Sequence, residues 1–186
     1  MNYYIFTLLL LILNTPKLHA QRLLPNQKGL EIKTGITDKG KIENSYFINL
    51  AITVNTKNGN YHIWGIEYTY KNHFYNNIRI PQETYTAEGG YSFFLLGDTQ
   101  RNITLNFGIT GVGGYESINR GKDQLQDGVK LISKDHFIYG VGGRLTFETY
   151  LSDRLVFLLQ GRSKILWGTD LQQIRPSAGL GLRINF

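Results

Sequence analysis

Apolar and polar residues alternate with period two along most of this chain, and no long segment carries a helical repeat. In a strand, successive side chains point to opposite faces, so this period predicts half-apolar β-strands. Eight candidates follow in order: Gly29–Ile36, Tyr46–Val54, Tyr61–Tyr70, Glu83–Leu95, Asn102–Tyr115, Phe137–Tyr150, Leu155–Trp167 and Ser177–Phe186. The second sets Ile48, Leu50, Ile52 and Val54 against Asn49, Ala51 and Thr53. The last is the sharpest: Ala178, Leu180, Leu182, Ile184 and Phe186 alternate with Ser177, Gly179, Gly181, Arg183 and Asn185.

Between strands two and three, Asn58-Gly59 suits a tight hairpin, because both residues tolerate positive φ. Connections after strands two, four and six are short, and those after one, three, five and seven are longer. A polar loop is expected from Lys71 to Ile80, and the longest loop from Glu116 to His136. Such alternation marks outer-membrane barrels, with short periplasmic turns and longer external loops. The expected fold is all-β: an eight-stranded antiparallel up-and-down β-barrel of outer-membrane type.

The polar face then becomes a barrel interior. Glu31, Lys33, Glu67, Glu88, Arg144, Glu148, Arg162, Lys164 and Arg183 all fall on it. An eight-stranded lumen is filled by side chains, and charges inside it must be paired. The nearly balanced signs meet that need, and glycines on the same face leave room for long side chains. Tyr46, Tyr68, Tyr70, Tyr91, Tyr139 and Trp167 suit interfacial girdles. A soluble lipocalin-like barrel fits the alternation equally well, with its faces reversed. It does not explain the terminal Phe186, and no Gly-x-Trp stands near the start. Leu180, Leu182, Ile184 and Phe186 read as an assembly signal for the barrel-assembly machinery.

Composition sharpens this picture. The chain has 186 residues, enough for one domain. Its 12 Tyr and 10 Phe favour strands. The absence of cysteine excludes disulfides, thiolate metal sites and a lipoprotein anchor. The net charge of +6 comes with no dense basic run, so direct contact with nucleic acid is not expected. The apolar run Tyr3–Leu13, followed by Pro16 and Ala20, reads as a signal peptide over residues 1–20. It is too short to span about 30 Å of hydrocarbon comfortably, although it lacks the usual early Lys or Arg. One barrel domain, 21–186, remains.

No catalytic set emerges. His62, His73 and His136 lack metal-ligand spacing, and nothing brings His73 and His136 to Asp123 or Asp127. Gly111-Val112-Gly113-Gly114 ends a strand and opens no helix, so it is no phosphate loop. No cofactor or metal is expected.

A family resemblance covers the chain from the signal to strand eight. The carrying residues are Gln21-Arg22-Leu23-Leu24-Pro25-Asn26-Gln27-Lys28-Gly29, Lys57-Asn58-Gly59-Asn60, Arg79-Ile80-Pro81-Gln82-Glu83-Thr84-Tyr85 and Glu88-Gly89-Gly90-Tyr91. Further along are Gly111–Glu116, Lys134-Asp135-His136-Phe137-Ile138-Tyr139-Gly140 and Glu148-Thr149-Tyr150-Leu151-Ser152-Asp153-Arg154. In these segments the chain resembles the conjugative transposon protein TraO of Bacteroides-type bacteria. The resemblance implies a non-catalytic, structural or interaction role in a type IV secretion-like mating apparatus. Its implied partners are outer-membrane lipid and other transfer proteins. A small porin or adhesion barrel, or a membrane-embedded enzyme, stand as alternatives.

Overall fold

The computed structural model describes residues 24–37, 44–75, 78–121 and 135–186, with only the backbone given for Phe74, Tyr75, Ile78 and Arg120. The expected signal peptide and the loop residues Asp123 and Asp127 lie outside the described residues. Eight strands form: β1 (Lys28–Thr37), β2 (Ser45–Asn55), β3 (Tyr61–Tyr75), β4 (Ile78–Gly97), β5 (Ile103–Ile118), β6 (His136–Tyr150), β7 (Leu155–Trp167) and β8 (Ile174–Asn185). Each pairs antiparallel with its sequence neighbour, and β1 pairs with β8 to close the barrel. The closure register sets Glu31 opposite Arg183 and Lys33 opposite Gly181. Beyond the last strand residue, Phe186 N–H donates to the Lys28 carbonyl at 2.9 Å.

The distribution of side chains is inside-out. Ile66 is 62% exposed and Leu180 50%, whereas Arg183 is 1% exposed. Leu30, Ile52, Ile109, Leu145 and Leu159 share the outer face, while Asn49, Thr86, Thr104, Asn106 and Gln160 are buried. A continuous apolar belt of this extent is unfavourable in water and favourable in hydrocarbon. The lipocalin-like arrangement is therefore overturned, because the charged face is the inner one.

Aromatic residues collect toward the two ends of the belt. Tyr46 packs on Tyr68 and Tyr70, Tyr68 on Tyr85, and Tyr139 on Trp167. At the other end, His62 stacks on Trp64 and meets Tyr91, which packs on Phe93. Several phenol hydroxyls reach polar partners: Tyr115 donates to Asp135 at 3.2 Å, and Tyr91 bonds Thr56 at 2.8 Å. An apolar ring with a polar tip suits a boundary between hydrocarbon and water.

The expected polar loop from Lys71 to Ile80 is corrected. β3 and β4 stay paired through Tyr75↔Ile78, leaving two residues between them. The aromatic and β-branched residues Phe74, Tyr75, Ile78 and Ile80 favour strand there. At the short end, Asn58 and Gly59 both adopt positive φ (66° and 84°), as the Asn-Gly pair predicts. The β4–β5 turn is tied by Asp98, whose carboxylate accepts from Ile103 N–H at 2.9 Å and Asn102 Nδ2 at 3.2 Å.

Two predictions follow from this geometry. The Ile103 backbone bond holds the Asp98 carboxyl below the usual aspartate range. A depressed folded pKa means that its contribution is present above the unfolded value and is lost as pH falls through the folded one. A carbon-detected NMR titration is expected to give Asp98 a midpoint below that of an unfolded peptide, and an equal midpoint would refute the bond. The second concerns glycine. A Cβ at inward Gly114 would overlap the Tyr85 carbonyl, whereas one at outward Gly113 meets nothing within 4 Å. Gly114→Ala is expected to cost about 1–3 kcal/mol and Gly113→Ala almost nothing, as read from urea unfolding midpoints.

Candidate functional site

Pleating places one residue in two inside each strand, so the lumen collects side chains from all eight. With the inward strand residues also come the charges. Toward the end holding the termini, Arg183 from β8 is the hub. Its Nε donates to Glu31 Oε1 at 2.7 Å, and its two terminal nitrogens make a two-pronged bond to Glu148 at 2.8 Å each. The guanidinium lies 4.5 Å over the Tyr61 ring, and Tyr61 Oη donates to Glu148 at 2.7 Å. Lys33 Nζ donates to Glu31 at 2.5 Å. Two carboxylates and two cations thus balance in a space closed to solvent.

Midway along the lumen a second group bridges opposite walls. Lys164 from β7 reaches Glu67 on β3 at 3.0 Å and Glu88 on β4 at 3.4 Å. Arg162 pairs with Glu67, donates from Nε to Ser177 Oγ at 2.8 Å, and covers the Phe47 ring at 4.1 Å. Asn49 Nδ2 donates to both Glu88 (3.0 Å) and Glu67 (3.3 Å). Arg144 stands 3.9 Å from Glu88, and its Nε and Nη2 have no hydrogen-bond partner among the described residues. A Cβ at Gly108 would stand 2.7 Å from Arg144 Nε, so the missing side chain gives that guanidinium its place.

At the other end lies a third group. Arg175 Nη2 pairs with Glu116 Oε2 at 2.6 Å. Glu116 also accepts from Gln82 Nε2 at 2.7 Å and Thr169 Oγ1 at 2.6 Å, while Gln82 Oε1 bonds His73 Nε2 at 2.7 Å.

The nine charged residues singled out in sequence all project into the lumen. Glu31, Lys33, Arg183 and Glu148 come together, as do Glu67, Glu88, Arg162 and Lys164, with Arg144 between the groups. Sequence reasoning misses Glu116 and Arg175, because the alternation places both in loops. Extending the alternation by three residues at the start of β8 and the end of β5 would have found them. The alternation marks Tyr61 only as the start of the third strand, and the structure turns it inward onto Glu148. Leu180, Leu182, Ile184 and Phe186 line the outer face beside β1.

Among the described residues the candidate chemistry of the loops is sparse. His136 pairs with Asp170 at 2.8 Å on the surface, and His73 bonds Gln82. Among the described residues no group of three His, Cys, Asp or Glu could hold a metal ion.

Removing the hub is the informative perturbation. Arg183→Met would leave Glu31 and Glu148 buried with part of their compensation gone, at a cost of about 3–5 kcal/mol. His136→Gln, at the exposed pair, is expected to cost no more than about 1 kcal/mol. Urea unfolding in detergent reads both, and similar losses would show the lumen network to be energetically ordinary.

Similar architectures are known. The barrel matches Ail, the attachment invasion locus protein of Yersinia pestis, with TM-score 0.57 and 12% identity over 88% of this chain and 100% of that one. It also matches the N-terminal β-barrel domain of OprF from Pseudomonas aeruginosa, with TM-score 0.53 and 10% identity over 87% and 98%. At these identities the likeness is one of fold. A stretch of 54 residues is 39% identical to the cytochrome P450 monooxygenase yanC of Aspergillus niger, but it spans only 29% of this chain and 10% of that protein. Thiolate-ligated haem needs a cysteine, and this chain has none. The family model described as conjugative transposon protein TraO matches residues 24–186.

Proposed function

Because the chain belongs to the conjugative transposon protein TraO family, we propose that it is a non-catalytic outer-membrane component of a conjugative mating apparatus. The observation that carries the location is the apolar outer belt with aromatic ends around a charged, filled interior. Outer-membrane lipid is its first partner. A signal peptide over residues 1–20 directs export, cleavage after Ala20 leaves one barrel domain, and the strand ending in Leu180, Leu182, Ile184 and Phe186 is read by the barrel-assembly machinery.

The role is one of structure and interaction. A lumen crossed by ion pairs from β3 and β4 to β7 leaves no passage for a nucleic-acid strand or a general solute. A porin role is correspondingly disfavoured, as is direct contact with the transferred DNA. What remains is the surface: the ends of the barrel, where other transfer proteins or a recipient envelope are met.

Deletion of the gene in a donor is expected to lower transfer frequency while growth is unchanged. Tagged protein from the donor's outer-membrane fraction is expected to bring other transfer proteins with it in mild detergent. Normal mating by the deletion strain would overturn the apparatus role, and recovery only from the soluble periplasm would overturn the location.

A further inference from the structure

We propose that the guanidinium of Arg144 holds one small inorganic anion, chloride by its chemistry, inside the lumen. This goes beyond the transfer role and does not depend on it. Arg144 is 5% exposed, and one whole side of its guanidinium is unused: among the described residues Nε and Nη2 have no hydrogen-bond partner. Those two N–H groups form the fork with which arginine grips an anion side-on. A buried donor left unpaired is unfavourable, and more so on a charged group.

Charge selects the sign. Around Arg183 the lumen is neutral, with Glu31 and Glu148 facing Lys33 and Arg183. Midway it is neutral again, with Glu67 and Glu88 facing Arg162 and Lys164. Arg144 stands between these groups as the cation left over. Its nearest carboxylate is Glu88, 3.9 Å from Nη1, and Glu88 already accepts from Asn49 at 3.0 Å and pairs with Lys164 at 3.4 Å. An uncompensated charge in a poorly solvated space is costly, and a bound anion offsets it. A monovalent ion suffices, and the Born cost of desolvation, which rises with the square of the charge, disfavours sulfate or phosphate.

The register supplies a further donor. Arg144 on β6 pairs opposite Gly108 on β5, and Gly108 opposite Ser92 on β4. The Arg144 side chain leans over Gly108, where a Cβ would stand 2.7 Å from Nε, so the fork is carried toward β4. Ser92 is wholly buried, and its hydroxyl has no hydrogen-bond partner among the described residues. A hydroxyl and a guanidinium fork are both donors to a halide. Asn106 Oδ1 and Gln160 Oε1, at the next inward positions of β5 and β7, are orphaned acceptors. A water beside the ion serves them, but water alone would leave the charge of Arg144 unbalanced.

The first test is crystallographic. Crystals of the full chain grown in detergent with bromide replacing chloride are expected to show an anomalous peak in contact with Arg144 Nε and Nη2. An adventitious ion only, with peaks confined to the protein surface, or no peak at all, would overturn the site. The second is urea unfolding in non-ionic detergent, with chloride exchanged for gluconate at constant ionic strength. Unfolding releases the ion, so above its dissociation constant the unfolding constant should fall about tenfold for each tenfold rise in chloride. Ser92→Ala should keep that dependence with an affinity about tenfold weaker, the factor for one hydrogen bond to a charged group. Arg144→Met leaves the lumen neutral and should abolish it. No chloride dependence in the wild type, or an equal one in Arg144→Met, would overturn the proposal. Should Arg144→Met fail to fold, the bromide map of the wild-type chain decides alone.

Discussion

Everything in this barrel depends on how its interior carries charge. Five carboxylates, on β1, β3, β4, β5 and β6, face a space almost without solvent. Each is met by a cation from another strand or from its own. In such a space an unpaired charge costs several kcal/mol and a well-bonded pair roughly breaks even. The network therefore specifies one arrangement of strands more than it adds net stability. It also fills the lumen, with Arg162 against Phe47 and Arg183 against Tyr61 closing the gaps between ion pairs.

The outer face obeys the opposite requirement. Every strand there presents aliphatic residues, and the rings lie where hydrocarbon gives way to water. The backbone satisfies itself through ladders that run round the barrel, irregular at Leu95 between β4 and β5, and Lys28 and Phe186 close them. A wall with no free edge is what a nonpolar solvent demands. Inner and outer faces belong to the same strands, so one alternating sequence meets both requirements at once.

That alternation is why the fold could be read from the residues. The faces of β2, β6 and β8 are clean, and inward charges such as Glu31, Glu67 and Arg183 betray themselves by standing between apolar neighbours. The pattern weakens where strands leave the apolar belt. There Asn72 stands between Lys71 and His73, polar residues fall on both faces, and strand resembles loop. Glu116 and Arg175 were lost for that reason, as was the continuation of β3 and β4 to Tyr75 and Ile78. Which cation meets which carboxylate was illegible as well, because pairs such as Lys164–Glu67 lie 97 residues apart and depend on the stagger of the closed wall.

The ordering of signs along the chain bears on assembly. Glu67 and Glu88 are made early, and the cations Arg162 and Lys164 that cross the lumen to meet them come from β7. Glu31 on the first strand waits for Arg183 on the last. An open, unfinished sheet would expose charges such as Glu67 and Glu88 without the cations of β7, and a curled sheet lacking its final strand would leave Glu31 and Glu148 without their shared hub. Neutralisation and closure thus become a single step. The last hairpin acts as a latch, so partly wound forms are penalised and the chain passes between an open state and a sealed one with little in between.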